Sequence, residues 1–195
     1  MNIKIIISLF LLCLIWTGCE SGEAQNQKDT TTMELEIRPM TLEELEAFKK
    51  RTDIENVPLF TQTEEEWKEK LSSGEFRVLR KHGTELPWRN EYNKTDTEGI
   101  YHCRGCHHPL FSSEAKYNSG TGWPSFWEPL SEISMKTQVD NSFFMTRTEL
   151  LCARCESHLG HVFDDGPEPT GLRYCMNSAA LRLMPMSLSR DAEDE

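Results

Sequence analysis

The sequence predicts an α+β fold, mainly β, in which a few short N-terminal helices pack on a β core with a cysteine cluster at one end. Three observations support this prediction. Helix-start signals lie in the N-terminal half, short apolar runs broken by Gly, Pro, Asn and Asp follow from residue 99, and two C-x-x-C pairs lie among those runs. The chain has 195 residues, enough for one domain with a proper core.

Residues 1–18 are predicted to form a signal peptide of the lipoprotein type. One lysine is the only charge before the apolar run 5–16, which is too short for a comfortable membrane span. Thr17-Gly18-Cys19 resembles a bacterial lipobox, with Trp16 in place of the usual small aliphatic residue. Ordinary secretory cleavage and an uncleaved anchor are the alternatives. We expect an exported lipoprotein that faces the periplasm or the exterior of a bacterial cell and is anchored in the membrane only through lipid on Cys19.

Residues 19–40 are predicted to be a flexible tether, and residues 41–75 an acidic helical extension. The tether is rich in polar residues and has no apolar period. Thr41 and Thr63 are each followed three residues later by glutamate. This is the capping-box pattern, in which a hydroxyl and a carboxylate bind the free amides of a helix start. A further short helix is predicted from Phe76 to Lys81.

Residues 76–190 are predicted to form the main domain, built largely from antiparallel β structure. The apolar runs in this part are short and bounded by turn residues, and neither an internal repeat nor a nucleotide-binding glycine loop is visible. The predicted strands lie within Gly99–Cys103, Pro109–Ser112, Ile133–Val139, Phe143–Cys152 and Leu181–Met184.

The charge balance excludes one class of partner. The net charge is −11 at pH 7, with acidic residues in excess between residues 34 and 75 and in the C-terminal tail. Contacts to phosphates need a basic surface, so we expect no nucleic-acid partner. A solvated acidic face that keeps the protein soluble explains the negative net charge. We expect the protein to be a monomer.

Four of the seven cysteines form two C-x-x-C pairs, Cys103 with Cys106 and Cys152 with Cys155. Each short knuckle aims two thiolates at one ion, so the four together favour a tetrahedral zinc site. Four thiolates leave no position for water, and the predicted Zn²⁺, one per chain, is therefore structural. Disulfides are the alternative in an exported protein, although a disulfide within C-x-x-C is usually redox-active or strained.

Cys175 stands apart from both pairs and is a candidate nucleophile. Arg173 and Asn177 lie two residues to either side, so all three share one face if the segment is a strand. The charge of Arg173 would favour the thiolate, and Asn177 offers amide donors. A buried free cysteine that acts as a small hydrophobe is the alternative.

Two histidines, His158 and His161, lie between the second knuckle and the lone cysteine, with Asp164 close by. This placement makes the imidazoles candidate proton donors, although a single histidine is more often structural. Trp123 lies in the segment 119–127, which contains two glycines. We expect Trp123 to form the wall of a ligand pocket and its aromatic neighbours to belong to the core.

These motifs occur together in one protein family. In their order along the chain, they resemble the B-type peptide-methionine (R)-S-oxide reductases over residues 76–185. The leader and the first helices lie outside the resemblance. The matching segments are Cys103–Cys106, Ser119–Phe126, Cys152–Cys155, Ser157–Pro167 and Arg173–Ser178.

The resemblance implies a fold of two antiparallel sheets with a Cys₄ zinc opposite the active site. It also implies that Cys175 attacks the sulfur of a methionine sulfoxide, which yields methionine and a sulfenic acid on Cys175. His158 and His161 would deliver protons to the departing oxygen, and Asp164 would orient the site.

The same resemblance implies how one sulfoxide epimer is selected. Arg173 and Asn177 would bias Cys175 toward the thiolate and shape the pocket, and Trp123 would hold the ε-methyl group of the substrate. A sulfoxide sulfur is a stereocentre, so a rigid pocket that fixes both methyl and oxygen accepts only one epimer, here R. The expected substrates are oxidised proteins.

Many family members carry a resolving cysteine where this chain has Thr121. With the leader removed, Cys19 lipidated and four cysteines on zinc, no second thiol remains for Cys175. We therefore expect its sulfenic acid to be reduced by an external thiol, thioredoxin-like or small. Two other functions remain as alternatives: a zinc-ribbon-like lipoprotein that binds without turnover, and an oxidoreductase that uses the C-x-x-C pairs as redox couples.

Overall fold

The computed structural model describes residues 38–142 and 145–185 and places three short α-helices ahead of nine strands. The helices are α1 (Leu42–Lys49), α2 (Glu64–Lys70) and α3 (Ser73–Lys81). The capping boxes predicted at Thr41 and Thr63 are confirmed, since each hydroxyl accepts from the amide three residues on and each glutamate accepts in return. A third capping box, at Ser72, makes α3 begin three residues before the predicted Phe76.

The strands form two antiparallel sheets, as the sequence predicted. A three-stranded sheet has the order β2-β1-β9, and a six-stranded sheet has the order β3-β4-β8-β7-β6-β5. The strands are β1 (Gly99–Cys103), β2 (Pro109–Ser112), β3 (Lys116–Tyr117), β4 (Ser125–Phe126), β5 (Met135–Asp140), β6 (Arg147–Cys152), β7 (His158–Phe163), β8 (Arg173–Met176) and β9 (Leu181–Pro185).

The five predicted strand segments match five observed strands. The bounds of β1 and β2 are those predicted, while β5 and β6 begin later than predicted, at Met135 and Arg147. Phe143, where the fourth segment was predicted to start, lies outside the described residues. The sequence did not predict β7, because its first three residues are all buried and the alternation that marks a half-buried strand is missing.

One hydrophobic core joins both sheets with α2 and α3, while Leu45 of α1 packs in a separate small cluster. Phe111 of the smaller sheet stacks on Phe126 of the larger sheet with ring centroids 4.2 Å apart, and Tyr101 meets the same ring edge-on at 5.0 Å. Trp67 of α2 is only 2 % exposed and belongs to this core, as does Leu79 of α3. The acidic helical segment is therefore packed into the domain, although its outer face is solvated.

Several predictions concern residues that the structure does not describe. The signal peptide, the lipid on Cys19 and most of the tether fall within residues 1–37, outside the described part. Among the residues that are described, no helix has both the length and the apolar character needed to cross a bilayer.

Candidate active site and metal centre

The two C-x-x-C pairs lie in matching turns. Cys103 ends β1 and Cys152 ends β6, and the second cysteine of each pair lies in the turn that follows. In each turn the residue after the second cysteine, His107 or Glu156, has a positive φ and donates its amide to the carbonyl of the first cysteine, at 2.8 and 2.9 Å. This turn directs both thiols of a pair to the same side.

The four thiols converge to the spacing that a metal needs. Cys103 Sγ lies 3.6 Å from Cys155 Sγ, and Cys106 Sγ lies 3.5 Å from Cys152 Sγ. Four sulfurs at about 2.3 Å from a tetrahedral zinc ion would be about 3.8 Å apart, whereas a disulfide needs about 2 Å. All four side chains are buried free thiols. The cluster therefore has the donor set and spacing of a Cys₄ metal site.

Cys175 lies on β8, in the interior of the larger sheet. Its backbone pairs with Ser125 of β4 on one side and with His161 of β7 on the other. Glu149 of β6 lies opposite His161, and Gln138 of β5 lies opposite Glu149. Side chains of directly paired residues share a face of the sheet, so a polar row crosses five strands with the thiol in it.

A cavity of about 110 Å³ opens beside the thiol. Cys175 is half-buried at this cavity, so it is reachable without being fully solvated. The lining brings together several residues that are far apart in the sequence, among them Trp123, Arg147, His161, Phe163, Cys175 and Asn177.

The electrostatic surroundings of Cys175 differ from the prediction in one respect. Burial raises the pKa of the Cys175 thiol above its ordinary value, and the charge of Arg173 and a hydrogen bond from Thr121 only partly oppose this. Arg173 and Asn177 were together predicted to favour the thiolate. Arg173 lowers the pKa of the Cys175 thiol, but burial raises it by more. The side-chain amide of Asn177 donates to Leu159 O at 3.2 Å.

The carboxylate that holds Arg173 is Asp165, the neighbour of Asp164, which the resemblance had implied would orient the site. Nε and Nη2 of Arg173 donate to the two carboxylate oxygens of Asp165 at 2.8 and 2.9 Å, and the guanidinium lies 4.3 Å from the centre of the Phe163 ring. Asp164 is exposed to solvent. The chain turns after β7, and this turn directs the second of the two adjacent aspartates toward β8.

His161, which lines the cavity, is held by a carboxylate on its far side. Its Nε2 lies 2.8 Å from Asp140 Oδ2, and Arg147 Nη2 donates to the same oxygen at 2.5 Å. Hydrogen bonds from Ser142 and His161 hold the pKa of Asp140 well below its usual range. An ionised carboxylate only accepts, so Nε2 of His161 carries the proton in this pair and Nδ1 is left for another partner.

His158 is buried beside His161, outside the cavity lining. The two rings meet edge-on with centroids 5.4 Å apart. Nδ1 of His158 lies 2.5 Å from Glu149 Oε1, and Nε2 faces the Asn177 amide nitrogen at 3.5 Å. Burial lowers the pKa of His158 below its ordinary value, although the Glu149 carboxylate opposes this. His158 therefore reaches the cavity only through its two neighbours.

Trp123 closes one side of the cavity, as expected of a pocket wall. Its indole Nε1 donates to Glu85 O at 3.2 Å, which fixes the ring while one side stays half-exposed. Gly120 and Gly122 before it have φ values of 71° and 90°, a region that glycine enters without steric cost. The Glu85 backbone amide also donates to Asn177 Oδ1 at 3.1 Å, so Glu85 ties two lining residues together.

Sequence reasoning missed the carboxylates that hold the site residues, namely Asp140, Glu149 and Asp165. Each of the three lies in a hairpin or turn whose register the sequence does not reveal. Glu149 offers the one available signal, because it is an acidic residue immediately before the apolar pair Leu150-Leu151 in a predicted strand. A half-buried thiol across from a histidine, together with a separate cluster of four thiols that could hold a metal ion, is an arrangement typical of thiol-dependent enzymes.

Comparison with known proteins gives the family. A family model, the SelR domain, matches residues 71–185. The chain is 50 % identical over 133 residues to the peptide methionine sulfoxide reductase MsrB of Hahella chejuensis, which covers 68 % of this chain and 96 % of that protein. It is 54 % identical over 123 residues to the protein of the same name from Pseudomonas fluorescens, covering 63 % and 95 %.

A plant protein is also similar. Peptide methionine sulfoxide reductase B1, chloroplastic, of Oryza sativa subsp. japonica is 53 % identical over 122 residues, which are 62 % of this chain and 56 % of that protein. The chain therefore belongs to the SelR-domain family of MsrB peptide methionine sulfoxide reductases, and the resemblance found in the sequence motifs is confirmed.

Proposed function

We propose that this enzyme reduces methionine-R-sulfoxide in oxidised proteins to methionine, with Cys175 as the nucleophile. One observation carries the proposal: Cys175 lines a cavity directly across from His161, in a chain that is 50 % identical to an MsrB reductase. Family membership also argues against the two alternative functions, a binding module without turnover and a C-x-x-C oxidoreductase.

The chemistry assigned to Cys175 transfers one oxygen atom. Its thiolate attacks the sulfoxide sulfur and forms a sulfur–sulfur bond while the oxygen takes up a proton. Transfer of the hydroxyl to Sγ then breaks that bond and releases methionine. In sum, thiol and sulfoxide become sulfenic acid and thioether, so the sulfur of Cys175 is oxidised by two electrons and the substrate sulfur is reduced by two.

His161 and His158 are proposed to supply the proton. His161 is the nearer of the two, because it lines the cavity and its Nδ1 is not used by Asp140. His158 touches both His161 and Asn177 and is paired with a carboxylate, which supports a role in passing the proton on. Trp123, on the other side, is proposed to contact the substrate methyl group. A fixed indole and a fixed proton donor select one epimer of the sulfoxide.

An external thiol is proposed to regenerate Cys175. The other described cysteines all lie in the Cys₄ cluster, and the side chains that lower the pKa of the Cys175 thiol are those of Arg173 and Thr121, neither of which is a thiol. A thioredoxin-like protein or a small thiol would therefore attack the sulfenic acid directly.

The Thr121→Cys substitution tests this regeneration step. It puts a thiol within contact distance of Cys175, so oxidation by substrate should convert the sulfenic acid to an intramolecular disulfide. Mass spectrometry of the substrate-oxidised chain should show the loss of two hydrogens in the variant and the gain of one oxygen in the wild type. An intramolecular disulfide in the oxidised wild type would contradict the proposal.

A structural Zn²⁺ is proposed for Cys103, Cys106, Cys152 and Cys155. The observed sulfur spacing and burial fit this ion. Bound there, zinc would join the ends of β1 and β6, and with four thiolates it would have no open position for substrate. All catalytic roles therefore remain with the residues around Cys175.

We propose that the enzyme is exported and anchored through lipid on Cys19. The apolar leader and the Thr17-Gly18-Cys19 motif support this. Metabolic labelling with a fatty acid, comparing wild type with Cys19→Ala, tests it. Label in the membrane fraction of the wild type only is the expected result, and an unlabelled wild type in the cytosol would contradict the proposal.

Dithiothreitol-driven reduction of a blocked methionine sulfoxide, resolved by sulfur epimer, tests the proposed reaction. The R epimer should be consumed while the S epimer remains. Consumption of both epimers at equal rates would show that Trp123 and His161 do not form a stereoselective pocket.

A further inference from the structure

Three side chains converge outside the catalytic cavity: His82, Glu149 and His158. Nδ1 of His82 lies 2.6 Å from Glu149 Oε1, and Nδ1 of His158 lies 2.5 Å from the same oxygen. The three ligand atoms all lie within 4.8 Å of one another. They come from the end of α3, from β6 and from β7, so the fold brings together residues as many as 76 positions apart.

This cluster has a route to solvent on one side only. The side chain of His82 is 57 % exposed, whereas those of Glu149 and His158 are 6 % and 2 % exposed. His82 ends α3 with a φ of 51°, in a left-handed cap conformation. An ion arriving from solvent would therefore meet the His82 imidazole first, and the two buried donors would follow.

The donor set suits a first-row divalent ion. Two imidazole nitrogens and one carboxylate form the set found in open zinc sites, with a fourth position left for water, and imidazole also binds Ni²⁺ and Cu²⁺ well. Gln138 Nε2 donates to Glu149 Oε2 at 2.5 Å and so fixes the carboxylate, as partners of metal ligands usually do.

Binding requires the two short hydrogen bonds to open. Donors at about 2.1 Å from one ion lie about 3 Å or more apart, further than the present contacts of His82 and His158 with Glu149. The exposed His82 is free to move outward by that amount, because its ring is held by little besides Glu149 and a tilted ring contact with His158, whose centroid lies 5.5 Å away.

We propose that His82, Glu149 and His158 form a second metal site, which takes Zn²⁺ or a similar divalent ion from solvent and inhibits the enzyme. A metal-bound nitrogen carries no proton, so each histidine binds the ion through Nδ1 as the neutral tautomer that is protonated at Nε2; the proton that faced Glu149 moves to Nε2, and no net proton is released from a neutral imidazole. His158 can no longer form an imidazolium paired with Glu149. The inhibitory half of this inference rests on the proposed role of His158 in proton transfer, whereas the binding half does not.

The test uses the full-length chain in detergent, loaded with one Zn²⁺ at the Cys₄ cluster. Isothermal titration calorimetry with Zn²⁺ measures binding of a second equivalent. Activity is measured as methionine formed in a single turnover without added thiol, because dithiothreitol would chelate the ion. The variant is His82→Asn, since asparagine tolerates the left-handed cap conformation. Position 82 lies outside the lining of the catalytic cavity.

A matched control is His107→Asn. His107 also has a left-handed backbone, with a φ of 61°, but it lies in the first zinc knuckle. The His107→Asn control should still bind a second equivalent of Zn²⁺ and be inhibited by it. The His82→Asn variant should bind the second Zn²⁺ at least about tenfold more weakly and resist inhibition, and its activity without the second Zn²⁺ should be unchanged.

Each other outcome is decisive. The proposed site would be overturned if the wild type bound no second equivalent of Zn²⁺. It would also be overturned if the His82→Asn variant bound Zn²⁺ and were inhibited like the wild type, because the ion would then lie elsewhere, for example on Cys175. Binding lost in His82→Asn but without inhibition of the wild type would overturn the inhibitory role. A wild type inactive without the ion would instead refute the proposed reductase mechanism, while calorimetry would still decide on the site.

Discussion

At Cys175, burial and charge act in opposite directions on the thiol. Burial raises its pKa, while Arg173 and Thr121 lower it and the Asp165 carboxylate raises it again. The ion pair of Arg173 with Asp165 thus limits how much of the arginine charge reaches the sulfur. Because the thiolate is the nucleophile, the reactivity of free Cys175 should rise with pH as it passes through this raised pKa.

Arg173→Gln should shift the reactivity of Cys175 to higher pH. Removing the cation takes away an interaction that lowers the pKa, so at neutral pH a smaller fraction is thiolate. The pH dependence of Cys175 alkylation by iodoacetamide, followed by mass spectrometry, measures the shift. Asp165→Asn is the matched control and should shift the profile to lower pH. An unchanged profile in Arg173→Gln would contradict the electrostatic role of this residue.

The residue scale is also where sequence reasoning was weakest. It identified four of the residues that line the cavity, because Trp123, His161, Cys175 and Asn177 occur in recognisable motifs, and it missed others such as Arg147. It could not choose between the adjacent Asp164 and Asp165, because the turn after β7 decides which carboxylate points to Arg173. The carboxylates behind the histidines depend on strand register, which is not a local property of the chain.

At the scale of elements, the contact of β7 with β8 positions the nucleophile. Gly160 of β7 pairs with Met176, and a Cβ atom at Gly160 would lie 2.1 Å from Cys175 O. The two strands can therefore take their present spacing only if residue 160 has no side chain.

Gly160→Ala should destabilise the domain and reduce turnover. The alanine methyl group would push β7 away from β8, and we expect this overpacking to lower the free energy of unfolding by about 1–3 kcal/mol. Turnover should fall because the same displacement moves Cys175 away from His161. Urea unfolding and R-sulfoxide reduction measure the two effects. Gly74→Ala is the control, because open space surrounds that position of α3 and alanine favours the helix, so stability should stay the same or rise by up to about 1 kcal/mol. Equal stability of Gly160→Ala and wild type would contradict the close contact.

The helix starts after Thr41 and Thr63 were predictable, whereas four of the nine described strands, β3, β4, β7 and β8, were not among the predicted segments. Each capping box is complete within four residues, such as Thr41 to Glu44, so its signal is present in the local sequence. By contrast, β8 is four residues long and lies between β7, the strand that precedes it, and β4, which is distant in the chain. Local patterns cannot encode such pairing.

At the scale of the whole molecule, the Cys₄ cluster connects the two sheets. Cys103 belongs to the smaller sheet and Cys152 to the larger, and Arg154 Nη1 donates to Cys106 O at 2.8 Å across the two turns. Nearby, Trp67 packs within the same core, and Arg80 Nη1 donates to Cys155 O at 3.1 Å. The helices thus brace the cluster from outside.

Removal of the proposed zinc should unfold the domain. Structural zinc binds with about 10–16 kcal/mol, which is as large as the total stability of about 5–15 kcal/mol of a typical domain. Far-ultraviolet circular dichroism during chelator treatment, with metal content measured in parallel, should show loss of structure as zinc leaves. Cys175→Ser should behave like the wild type, because it lies outside the cluster. A metal-free chain that keeps its melting temperature would contradict the structural role.

The measurement closest to the central claim is the mass of each cysteine after one turnover. The full-length chain, loaded with zinc and free of added thiol, is incubated with a blocked methionine-R-sulfoxide, and the methionine formed is counted per chain. We predict one methionine per chain and one added oxygen on Cys175 alone, and neither in Cys175→Ser. Methionine formed by Cys175→Ser, or oxygen found on Cys103, Cys106, Cys152 or Cys155 instead, would contradict the assignment of Cys175 as the nucleophile.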